Sequence, residues 1–165
     1  MDRNLCYFIS KNDCVIIERD SIETDCKELA DNLRKPDFDE VVIISKEDPI
    51  KPITRGFRIS KYCKSVVKDG NLIAMYGVAP TEFNKVGSPF LLGTNRFLEI
   101  RIPFARQSKK RVEEMQNLYP ILWNFIDSRN EIHLRWIKWC GFKIINERYI
   151  DNVKFYEFIR IKKYV

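Results

Sequence analysis

The stretch Asn130-Glu131-Ile132-His133-Leu134-Arg135-Trp136-Ile137-Lys138-Trp139-Cys140-Gly141-Phe142 contains both ends of one helix. Asn130 is a residue type that caps the orphan amides of a helix start. Gly141 can take the left-handed backbone that closes a helix, and Phe142 then returns the chain to a core. Ile132, Trp136 and Trp139 stand at offsets 0, 4 and 7, which predicts one shared buried face. Apolar runs over 121–126 before this helix and 143–148 after it read as strands.

Working outward, 153–161 is a further strand, joined to 143–148 through an Asp151-Asn152 turn. Before Pro120, Val112, Met115 and Tyr119 share one helical face, which predicts a helix over 107–119. Residues 72–78 and 89–94 read as strands, separated by a loop holding Pro80, Gly87 and Ser88. Asp69-Gly70-Asn71 is expected to end a helix over 54–67, whose apolar side is Ile59, Cys63, Val66 and Val67. Two prolines make 48–52 a loop, and the unbroken apolar run 41–45 reads as a buried strand. Asp20 and Glu23 have capping-box spacing ahead of a helix carrying Ile22, Cys26, Leu29 and Leu33, stopped by Pro36. The chain opens as a hairpin of 5–9 and 14–18 around Asn12-Asp13. Strands and helices interleave and end in a hairpin, which predicts α/β architecture with a mixed sheet.

With 165 residues, 45% hydrophobic and 32% charged, the composition is that of one folded domain. No apolar run approaches the length of a membrane span, and the start lacks the pattern of an export signal, so an intracellular, membrane-free protein is expected. Cys6, Cys14, Cys26, Cys63 and Cys140 show no metal spacing, and His133 is the single histidine, so no metal site is expected. Cys26, Cys63 and Cys140, on apolar faces of expected helices, read as small buried hydrophobes of a reducing compartment, and a catalytic cysteine with His133 as its base is the other reading. The net charge of +6 gathers at Arg106, Lys109, Lys110 and Arg111, and again at Arg160, Lys162 and Lys163. Solvated faces account for such clusters, and loose contact with a polyanion such as nucleic acid is the other reading.

The helix opened by Asn130 and closed by Gly141-Phe142 resembles the corresponding helix of the GNAT N-acetyltransferases. A wider set of segments is similar to a small GNAT-like family encoded by tailed bacteriophages, one member of which assembles internal virion components. The set includes Asn32-Leu33-Arg34, Pro36-Asp37-Phe38-Asp39-Glu40, Met75-Tyr76-Gly77-Val78, Pro89-Phe90-Leu91-Leu92-Gly93-Thr94, Tyr119-Pro120-Ile121-Leu122-Trp123-Asn124 and Asp127-Ser128-Arg129-Asn130. The resemblance spans roughly residues 20 to 160. It implies a single GNAT-like domain over 1–165, a mixed sheet flanked by helices, and a place in the host cytoplasm or the virion.

It also implies an acetyl-CoA site in a V between two central strands, with a pyrophosphate cradle at a helix start. Alignment of that helix on Met115 puts Gln107, Lys110 and Val112 at the cradle positions. Lys110 and Val112 bring a Cβ where glycine is favoured, so Lys109, Lys110 and Arg111 would bind phosphate by charge, with Asn130 nearby. The tyrosine that serves many GNAT enzymes as general acid is replaced by Ile137, which has no proton to give. Tyr119, Tyr76 and Tyr149 are substitutes, while Glu40, beside Asp37 and Asp39, and His133 are candidates for the base. The reading is a phage GNAT-fold protein with a degenerate acetyl-CoA site, acting by binding to a phage or host protein in virion assembly or host takeover. The alternative is an active acetyl-CoA-dependent N-acetyltransferase that modifies a phage or host protein.

Overall fold

The computed structural model describes residues 15–163 and the backbone of 6–9. Strands β1 (Cys6–Ile9) and β2 (Val15–Asp20) pair antiparallel, and the expected turn at Asn12-Asp13 lies outside the described residues. Helices α1 (Glu23–Asn32), α2 (Lys35–Ser45) and α3 (Ile50–Ile59) follow. Next come the meander β3 (Tyr62–Lys68), β4 (Asn71–Pro80) and β5 (Val86–Gly93), a 3₁₀ turn over Phe97–Ile100, and α4 (Arg101–Leu118). The chain continues with β6 (Ile121–Asp127), α5 (Glu131–Trp139), β7 (Lys143–Ile150) and β8 (Val153–Ile161). Among the described residues the sheet runs β1-β2-β3-β4-β5-β6-β8-β7, antiparallel except where β5 meets β6. The expected mixed α/β sheet flanked by helices is thus observed. Among the described residues no helix is long and apolar enough to cross a membrane.

Residues 35–68 depart from the sequence reading. Pro36 starts α2 instead of stopping α1, since a proline in the first turn forfeits no helical bond. The run 41–45 is the end of that helix, and a short apolar run fits helix or strand equally until packing decides. Its outer side leaves Phe38 and Ile44 exposed. Pro49 and Pro52 sit at the start of α3, where the expected loop is a helix. Only the front of the expected 54–67 helix exists. Tyr62–Lys68 is a strand between β2 and β4, and the β-branched Val66 and Val67 suit it. Asp69-Gly70 is therefore a two-residue hairpin turn, both residues at positive φ (52° and 78°), and not a helix cap. Gly87 and Ser88, expected in a loop, belong to β5.

Two caps also differ. Asp20 ends β2, and the α1 start is secured by Asp25, whose carboxylate accepts the Ile22 amide at 2.9 Å and a paired donation from Arg19. Asn130 precedes α5 as expected but makes no side-chain cap. The buried face of α5 is His133, Ile137 and Cys140, while Ile132 and Trp139 are exposed and Trp136 is half-buried. Gly141 has the expected positive φ, 83°.

One core cluster lies between the sheet and α4 and α5; a second joins α1 and α3 to Leu72 and Met75. Arg111, buried in α4, pairs with Glu18 of β2 and stacks on Tyr76 and Phe104.

Candidate functional site

Strands β5 and β6 run parallel and pair only at Val86–Ile121 and Gly87–Leu122. Beyond that rung they diverge, which is the V in which this fold exposes unpaired strand edges. At the closed end, Gly87 is required: a Cβ there would stand 2.7 Å from the Tyr119 ring. Tyr119 is buried at this end with its hydroxyl unpartnered, away from the open part of the seam.

Part of the strand edges inside the V is occupied by protein groups. The Asn124 amide donates to the Pro89 carbonyl across the seam at 2.9 Å, and Asn124 Oδ1 accepts the Phe125 amide. Pro89 turns its carbonyl toward β6, so its missing N–H removes no ladder bond to β4. Farther along, Gly93 N–H donates to Asp37 at 2.8 Å, and the Asp127 amide donates to Glu40 at 3.0 Å. The α1–α2 junction closes the top: Leu33 bridges Thr94, and Arg34 N–H donates to the Gly93 carbonyl.

Asp37 organises this closure. It receives Arg34 through two bonds of 2.7 and 2.8 Å and Asn130 Nδ2 at 3.1 Å, while Arg34 also donates to Asn130 Oδ1. His133 Nδ1 stands 3.6 Å from Asp37 and 3.3 Å from Asn130 Nδ2. All four side chains are buried. A charged cluster in such surroundings persists only because every partner is present. This explains why Asn130 does not cap its own helix: its amide is committed between Arg34 and Asp37.

Two cavities open on the V, and one of them, of about 60 Å³, is shared by Glu40, His133, Trp136 and Ile137. That is room for a few waters. Glu40 keeps part of its surface in solvent, yet desolvation of the carboxyl, reinforced by Asp37 and Asp127, pushes it up to about 8. Burial pushes His133 down to about 4 against the opposing pull of Asp37, and its Nε2 has no partner among the described residues. On the other side of Glu40, a second, largely apolar cavity of about 290 Å³ lies beneath α2 and α3, beside Ile44, Phe57 and Phe90.

The structure thus brings Glu40 and His133 to one cavity and places Tyr119 elsewhere. Helix α4 begins at Arg101, so Gln107, Lys109, Lys110 and Arg111 occupy its second and third turns, where backbone amides are spent inside the helix. Lys109 caps the Trp139 ring at 4.2 Å, and Arg111 is the buried partner of Glu18. The segment standing at the mouth of the V is instead Thr94 to Ile100. Four of its amides are internally bonded: Thr94 to Ile73 O, Arg96 to Thr94 Oγ1, Phe97 to Thr94 O and Glu99 to Arg96 O. Phe97 is buried against Gly93, whose Cβ would meet it at 2.9 Å, and packs edge-on to Phe104 and His133. The sequence reading missed Arg34, Phe97 and Asn124. A signal existed for Arg34, three residues before Asp37 across a helix-starting proline; Asn124 was the one amide in an apolar strand.

A pantetheine chain needs unpaired strand edges, and a pyrophosphate needs free amides with close backbone approach. Here Asp37, Glu40 and Asn124 engage part of the strand edges, and Glu99 is paired with Lys68 and Arg96 in the loop. Ile137, where an acid would stand, is buried core. Among the described residues no group of three His, Cys, Asp or Glu is placed to hold a metal.

No protein-family model matches the sequence, and no curated protein does. Solved structures do match in shape. The acetyltransferase of the GNAT family from Streptococcus pneumoniae superposes with a TM-score of 0.65 at 12% identity, over 90% of this chain and 99% of that one. For yncA of Salmonella typhimurium, solved with its cofactor acetyl-CoA, the values are 0.65, 9%, 90% and 94%. For the ribosomal-protein-S5-alanine acetyltransferase of Vibrio fischeri they are 0.61, 12%, 95% and 97%. The chain has the GNAT acetyltransferase fold.

Proposed function

We propose that this chain is a bacteriophage GNAT-fold protein that has given up acyl-CoA chemistry and acts by binding a phage or host protein, in virion assembly or host takeover. The observation that carries the loss of chemistry is the closed V, where Asp37, Glu40 and Asn124 hold the strand edges that a pantetheine chain would use. The phage setting, in the host cytoplasm or the virion, rests on the sequence resemblance. A binding role follows from what the fold retains: a rigid sheet, with exposed apolar side chains on α2 and between α4 and α5.

Calorimetry with acetyl-CoA at moderate salt tests the reading. Binding weaker than about 1 mM, whose free energy is about −4 kcal/mol, is expected. Saturable micromolar binding, or acetyl transfer to an amine, would overturn it. One feature favours the second reading, an active N-acetyltransferase: the Glu40 carboxyl, pushed up to about 8 between two cavities, has the affinity of a general base. Under that reading the Asp37 cluster would open to admit the cofactor. Glu40→Gln would then abolish a measurable transferase activity.

A further inference from the structure

The two basic clusters of the sequence have no part in the V, and the C-terminal one lies across the sheet from it. A groove of about 870 Å³ runs between the last turns of α4 and the end of β8. Its cations are Lys143, Arg160, Lys162 and Lys163, and Glu113 of α4 is the carboxylate that faces them. Arg160 and Lys162 alternate along the chain and reach toward the same wall. Arg160 Nη2 stands 3.9 Å from Glu113, and Lys162 Nζ donates to Asn117 Oδ1 at 2.8 Å. Two residues of extended chain place such side chains about 6.6 Å apart.

Arg160 is the informative residue. Its side chain is mostly covered, its Nη1 is buried, and that nitrogen has no hydrogen-bond partner among the described residues. An unpaired buried guanidinium N–H is costly, and a turn of the Arg160 side chain toward an anion in the groove would relieve it. Gly141 lies beside this arginine at ordinary contact distance, a Cβ there falling 3.6 Å from Arg160 Nε. The backbone around the groove is bonded within the protein: Gln116 Nε2 donates to the Arg160 carbonyl, and Lys162 N–H to Pro120 O.

We infer that this groove is a phosphate-binding site for the backbone of a nucleic-acid strand. Four cations against one carboxylate, three of them at the end of β8 and just beyond it and Lys143 on the neighbouring β7, match a row of phosphates better than a single anion. A protein partner would want aromatic or large apolar anchors, and among the described residues no aromatic side chain lines the groove. For the same reason no base is stacked, so binding is independent of sequence and governed by counterion release. The site is separate from the V, and it stands or falls independently of whether acetyl-CoA binds.

The test is fluorescence anisotropy with a labelled single-stranded DNA of about 20 nucleotides, from 50 to 200 mM salt. Four phosphate contacts predict a slope of log affinity against log salt near −2.8, a loss of about 50-fold over that range. Arg160→Gln should bring the slope to about −2.1, and the double variant with Lys162→Gln to about −1.4. If Arg160→Gln fails to fold, the exposed pair Lys143→Gln and Lys163→Gln gives the same reading of the slope. Inorganic pyrophosphate should compete at millimolar concentration, and poly-glutamate should compete far less. No saturable binding at 50 mM salt, a slope unmoved in the folded variants, or equal competition by poly-glutamate would overturn the proposal. Pyrophosphate binding without oligonucleotide binding would also overturn it, by reassigning the groove to small phosphorylated molecules.

Discussion

Asp37 and Glu40 stand one turn apart on α2 and face the same seam, but their surroundings differ. Asp37 receives two bonds from Arg34, one from Gly93 N–H and one from Asn130. Glu40 receives the Asp127 amide, looks into a small cavity and is pushed up to about 8. One carboxyl group is saturated with donors and holds the α1–α2 junction against the end of β5. The other is desolvated without a cationic partner. Within one seam the two demands separate: the group that joins α2 to β5 is fully paired, and its neighbour is only covered.

Removing the saturated member should have the largest effect. Asp37→Ala leaves Arg34 buried without its counter-charge, and breaking such a pair costs about 3–5 kcal/mol. A urea midpoint shifted by much less would show that the cluster is not what joins α2 to the seam. Restoring the residue type that a GNAT acid requires comes next. Ile137→Tyr forces a larger ring and a hydroxyl into a buried site beside a cavity of only about 60 Å³ and should cost about 1–3 kcal/mol. The assay that matters is acetyl transfer, which should stay absent; its appearance would mean the V opens.

Glu40 is best read through pH. Its folded-state carboxyl titrates near 8 and the unfolded one near 4.5, so the folded state holds the extra proton and stability falls as pH rises between them. His133 acts oppositely: its folded value near 4 lies below the unfolded 6.5, so stability rises with pH across that window. The two oppose each other from about 4.5 to 6.5, and Glu40 acts without that opposition from 6.5 to 8. Unfolding free energy should drop by about 1–2 kcal/mol over that upper window. Glu40→Gln should flatten the drop, and a variant that retains it would assign the titration elsewhere.

The smallest effect belongs to the distant end of α5. Gly141→Ala meets no steric obstacle but places a side chain at φ 83°, at a cost of about 1 kcal/mol. An unchanged midpoint would remove the strain argument for this turn.

The α5 end was legible in the sequence because its signals are local: glycine at C′, an Asp151-Asn152 turn at positive φ, and strands on either side. The segment 35–68 was not. The run at 41–45 suits a helix or a strand, Pro36 can stop or start a helix, and Val66-Val67 took their state from β2 and β4. The burial of α5 was misjudged by one position, so that His133 and not Ile132 faces inward. The seam lay beyond sequence reasoning because its contacts join residues up to 96 positions apart, such as Arg34 and Asn130. No local pattern announces them. The start of α4, six residues earlier than alignment on Met115 required, decided which amides stand at the mouth of the V.

The closure itself can be measured at one atom. The Gly93 amide proton points at Asp37, where an open V would leave it to solvent or ligand. Hydrogen exchange followed by NMR, with and without millimolar acetyl-CoA, reads its protection directly. The account predicts exchange as slow as that of the β4 core amides, unchanged by acetyl-CoA. Exchange at the rate of an exposed loop, or a Gly93 resonance that moves saturably with acetyl-CoA, would contradict it.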